Sequence, residues 1–140
     1  MMVIFLKEKL KQVMEQELEA LKNLLEALEE QHKYIAKNEL LQLAEVVTKI
    51  EECNKNVAKI EIERRKITNG EAMSKLIEEF KDSSLELLYR NINGLLKELK
   101  LQKDTNEMLI KRGLSFSNQM INLLKPDRSA KTYNAQGRSK

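Results

Sequence analysis

Residues 83–124 read SSLELLYRNINGLLKELKLQKDTNEMLIKRGLSFSNQMINLL. Within them Leu85, Leu88, Ile92, Leu95, Leu99, Gln102, Asn106, Leu109, Gly113, Phe116, Met120 and Leu123 recur at alternating steps of three and four. That spacing is the seam of one helix packed along its length. Ser83, with Glu86 three positions later, reads as a capping-box start, and Pro126 with the polar tail reads as the stop. A helix over these residues is about 63 Å long. The first half of the seam is apolar throughout. The second half is interrupted by Gln102, Asn106 and Gly113 and has a second apolar row beside it, Ile110, Leu114, Ile121 and Leu124. The pattern predicts a core-forming first half and a second half kept as a surface for a partner.

The rest of the chain supports a helical fold. Of 140 residues, 34% are charged and only 4% aromatic, with one Pro and four Gly, which favours long helices over a sheet-based core. The net charge of +3 is uneven. Residues 125–140 carry Lys125, Arg128, Lys131, Arg138 and Lys140 against Asp127, leaving a near-neutral body. Such a body is a poor surface for phosphates, so nucleic acid is not expected as a partner. The single Cys53 allows no internal disulfide, which suits a reducing compartment, and its place on an apolar stripe suits a small buried side chain. The apolar run Met1–Leu6 gives way to Lys7, Glu8 and Lys9, too early for a signal-peptide core or a membrane span. The expected location is the cytoplasm, with no stable membrane insertion.

Four helices are predicted. The first covers about residues 3–36, with Met14, Leu18, Leu21, Leu25, Leu28, His32 and Ile35 in its stripe and Leu6, Leu10, Val13, Leu24 and Ala27 widening it. The tight connection Lys37-Asn38-Glu39 makes the next helix an antiparallel neighbour, with Asn38 as its expected cap. The second helix, about 39–67, carries Leu43, Val46, Ile50, Cys53, Val57, Ile60, Arg64 and Ile67, and Thr68-Asn69-Gly70 ends it. A short helix at 71–81 exposes Met73, Leu76, Ile77 and Phe80 on one side, as a lid on the bundle. The expected architecture is an all-α, elongated antiparallel bundle of three long helices plus one short helix over residues 1–124. A flexible, disordered basic tail follows over 125–140.

Chain-path arithmetic then gives the last helix a surplus. Helices of about 34 and 29 residues cannot shelter one of 42, so about a dozen residues, 112–124, should outrun their neighbours. Burying each large apolar side chain there is worth about 1.5–3 kcal/mol, so the stretch is expected to seek a partner. A homodimer through 106–124, in a structural self-associating coiled-coil protein without a chaperone role, is the alternative. Ordinary packing within the chain is the third.

Chemistry is otherwise sparse. There is no Gly-rich phosphate loop, no Cys or His pair at ligand spacing, and no nucleophile with a base. His32 is the only histidine and cannot make a metal site alone. No pair of carboxylates is expected against an apolar wall. An enzyme is therefore not expected, nor a cofactor or metal.

Several stretches resemble the FlgN family of flagellar export chaperones over most of the chain. They are the Leu-rich first helix leading through His32-Lys33-Tyr34, and Glu61-Ile62-Glu63-Arg64-Arg65 at the end of the second. They continue with the run Gln102-Lys103-Asp104-Thr105-Asn106-Glu107-Met108-Leu109-Ile110 and the tail Thr132-Tyr133-Asn134-Ala135-Gln136-Gly137. The resemblance implies a cytoplasmic protein of bacterial flagellum biogenesis. Such a protein binds the C-terminal helical region of the hook–filament junction proteins FlgK and FlgL. It prevents their premature assembly and delivers them to the flagellar type III export gate. A helix-in-groove contact of this kind uses anchors at i, i+3, i+4 and i+7. Asn106, Leu109, Gly113, Phe116, Met120, Leu123 and Leu124 are the expected cargo-binding residues, and Tyr133 maps onto the family's tail tyrosine for docking on the export gate.

Overall fold

The computed structural model describes residues 2–124. Within them the chain forms α1 (Met2–Lys37), α2 (Leu40–Thr68), α3 (Met73–Phe80) and α4 (Ser83–Leu123), with no strand among the described residues. It divides into two compact units, Met1–Asn106 and a second that begins at Glu107.

Local chemistry sets the helix ends of the first unit. α1 stops because Asn38 takes a left-handed conformation, φ +56°. Its N–H donates to Ile35 O and that of Glu39 to Tyr34 O, which satisfies the last carbonyls of α1. Asn38 therefore closes α1 rather than capping α2. Glu39 occupies the cap position of α2, without a side-chain hydrogen bond. Asn tolerates the left-handed region better than most residues with a Cβ, so it serves a two-residue reversal. Asn69 (φ +55°) and Gly70 (φ +81°) end α2 in the same way.

At α4 the expected cap also moves by one residue. Asp82 Oδ1 accepts from the N–H of Ser84 at 2.9 Å and of Leu85 at 3.3 Å, and from Ser84 Oγ at 2.6 Å. Asp82 is the cap and Ser83 the first helical residue. A carboxylate beats a hydroxyl here because it also meets the positive end of the helix dipole. Those donors hold the Asp82 carboxyl below the usual Asp range, the Ser84 hydroxyl foremost.

Cross-helix contacts give the directions. Glu30 pairs with Lys49 and Glu17 with Arg64, so α1 and α2 run antiparallel. Lys7 meets Asp82 at 3.8 Å while Leu28 meets Asn106, so α4 runs parallel to α1 across this unit. The core joins Leu10, Val13, Met14, Ala20, Leu21 and Leu28 of α1 to Ile60 of α2, Ile77 of α3 and Leu85, Ile92, Leu95 and Leu99 of α4. Leu10 and Met14 are fully buried, and truncating such a side chain to Ala costs about 2–5 kcal/mol. α3 closes the core with Leu76 and Ile77, and Met73 and Phe80 pack beside them. Cys53 is only half-buried.

Candidate partner-binding surface

Residues 107–124 hold no buried side chain. Helical spacing sorts them into two rows. Leu109, Gly113, Phe116, Met120 and Leu123 form one, and Ile110, Leu114, Ile121 and Leu124 lie beside it. Lys111, Ser115, Asn118 and Asn122 take the opposite side. Leu109 is half-buried and the remaining eight are exposed, Phe116 to 64% and Leu123 to 74%. Arg112 is the last charged residue before Lys125, and 113–124 carry none. The face therefore offers apolar surface with side-chain amides and hydroxyls beside it and no charge over 113–124 for salt to screen. Met108 and Met120 add flexible, polarisable contacts. A Cβ on Gly113 would meet nothing within 4 Å, so no neighbour among the described residues requires a glycine there.

Asn106 belongs to the first unit and differs from the others singled out. It is 1% exposed. Its Nδ2 donates to Leu28 O at 2.8 Å and to Gln31 Oε1 at 2.9 Å, and its Oδ1 accepts from Gln102 Nε2 at 2.9 Å. The carbonyl of Leu28 can only accept, which fixes the orientation of the Asn106 amide and then that of Gln102. Gln102 Nε2 also lies 2.8 Å from His32 Nδ1, which therefore accepts. The side chain of Asn106 is thus spent on α1. Its hydrogen bonds hold α4 in register rather than facing outward.

A second polar group of the first unit went unforeseen. Glu17 is buried on the apolar face of α1, and Arg64 Nε donates to its Oε2 at 3.4 Å. Burial pushes the Glu17 carboxyl above the usual Glu range, partly offset by the Arg64 charge and hydrogen bond. The group against the apolar wall is thus a single carboxylate facing a guanidinium, not a pair of carboxylates. The signal was Arg64 on the stripe of α2, since a cation there needs an acid opposite. With a guanidinium as its partner and no nucleophile beside it, the pair reads as a packing contact.

Tyr133 and the rest of residues 125–140 lie outside the described residues. Among the described residues no cluster of three His, Cys, Asp or Glu could hold a metal ion. No described helix is long and apolar enough to cross a membrane.

These features define an all-α bundle protein whose long last helix carries an exposed, uncharged amphipathic face. The family model described as FlgN protein matches residues 1–140, and the chain belongs to the FlgN family. That is a family of flagellar export chaperones. Neither the curated proteins nor the solved structures give a significant match.

Proposed function

We propose that this FlgN-family chain binds the C-terminal helical region of the hook–filament junction proteins FlgK and FlgL through residues 108–124. It does so in the cytoplasm and hands them to the flagellar export gate, without catalysing a reaction. The observation that carries the reading is the exposure of two adjacent apolar rows on one helix. An amphipathic cargo helix laid along them buries its own apolar side and theirs together, which keeps the cargo from pairing with its own kind. Leu109, Phe116, Met120, Leu123 and Leu124 are the anchors, and Gly113 leaves room for a close approach of the cargo backbone. Tyr133 is the contact to the gate.

Purified chain carrying Phe116→Asp or Leu123→Asp should lose co-purification with the C-terminal segment of FlgK while keeping its helicity by circular dichroism. Tyr133→Ala should keep that binding and fail to support filament assembly. Undiminished capture of FlgK by both Asp variants would remove the surface from consideration. Light scattering of the free chain separates a self-associating protein, which would remain a dimer at low micromolar concentration until Leu123→Asp broke it.

A further inference from the structure

The first turn of α1 is a further exposed apolar feature, outside the surface proposed for cargo. Met2, Val3, Ile4 and Phe5 are all exposed and Leu6 is half-buried. Met1–Leu6 is the longest unbroken apolar run in the sequence. At 3.6 residues per turn, four successive side chains spread over about 300° of arc. The turn is therefore apolar around nearly its whole circumference, unlike residues 107–124, where polar groups take one side. A protein groove covers one face of a helix and would leave half of this turn wet. A bilayer interface covers all of it.

Charge and length point the same way. Lys7, Lys9 and Lys11 follow at once, with Glu8 the one acid among residues 2–11. The Lys9 ammonium lies 4.7 Å from the centre of the Phe5 ring, so its stem already runs back toward the apolar turn. Lys7 is shared with Asp82 and the Phe80 ring, and Lys9 shares a groove with Lys66 and Glu63. Residues 2–6 rise about 7.5 Å, which falls within the 5–10 Å depth of the headgroup and acyl boundary. We propose that the first turn of α1 docks in an anionic lipid surface, with Met2–Leu6 in the boundary and the lysines at the phosphates. One short apolar turn gives weak, reversible attachment, not anchoring.

The test uses the full chain and vesicles of phosphatidylcholine with or without phosphatidylglycerol. The chain should sediment with the anionic vesicles, less so as salt is raised. The double variant Ile4→Ser/Phe5→Ser should reduce the bound fraction roughly tenfold. Leu123→Asp should not change it. The chain has no Trp, so Phe5→Trp supplies a reporter, expected to shift to the blue and to be quenched by brominated acyl chains. Undiminished sedimentation of the double variant would assign the attachment to basic residues alone and overturn the proposal. So would an unquenched Trp, loss of attachment on Leu123→Asp, or vesicle-free dimers that the double variant dissolves.

Discussion

Asn106 shows what a seam position can and cannot reveal by itself. Its step of four from Gln102 places it on the packed face of α4, and that much is visible in the sequence. Whether the chain itself meets a seam amide depends on what lies across from it, here the Leu28 carbonyl and the Gln31 side chain. Asn106→Ala leaves Gln31 and Gln102 without their partner in a part-buried site, so urea denaturation should show a loss of about 1–3 kcal/mol. Glu17 and Arg64 form the second such case. Their side chains are 11% and 17% exposed. Arg64→Met should cost on the order of 3 kcal/mol at pH 7, because it strands a buried carboxylate. The pH dependence has a definite sign. The folded pKa of Glu17 is raised, so the folded state holds its proton to higher pH than the unfolded state does. Stability on this account is greatest below about 4.5 and falls as pH rises from there through the raised folded pKa. Glu17→Gln should flatten that part of the profile, and Arg64→Met should steepen it.

Among the elements, the four helices were legible because apolar periodicity and the Asn, Gly and Pro punctuation act locally. Bounds agree within about two residues, the ordinary looseness of helix ends. The caps were less legible. Asn38 and Asp82 each sit where two neighbouring polar residues compete for one end, and local backbone geometry decides between them. Sequence spacing does not contain that geometry. Gly113 makes the point for the interior of a helix. Its backbone is not left-handed and none of the described residues lies near its missing Cβ, so packing among them does not explain it. Gly113→Ala should therefore raise the helicity of α4 and stabilise it by about 0.5–1 kcal/mol, measured by circular dichroism melts. If a cargo backbone approaches closely at Gly113, the same variant weakens FlgK capture despite the firmer helix. Unaltered capture would place the contact on the large side chains alone.

At the level of the molecule, folding and recognition draw on different residues. Every buried side chain among the described residues lies at or before Asn106, and the exposed rows proposed for cargo lie after it. The loss of packing that melts a protein and the loss of contact that frees a cargo should then be separable. Leu10→Ala removes a fully buried side chain and should cost about 2–5 kcal/mol, whereas Leu123→Asp, on an exposed side chain, should stay within about 0.5 kcal/mol of the parent. Amide hydrogen exchange reads the same division without a variant. Protection against exchange follows the free energy of local opening, which tertiary burial raises and an exposed helix lacks. In the free chain, amides of residues 107–124 should exchange much faster than those around Leu10–Leu28 and Leu85–Leu99, although all are helical. Adding the FlgK C-terminal segment should slow exchange over 107–124, because the cargo then supplies the burial that the chain does not. Slow exchange there in a monomeric free chain would mean that this helix end is already satisfied. The cargo would then have to bind elsewhere.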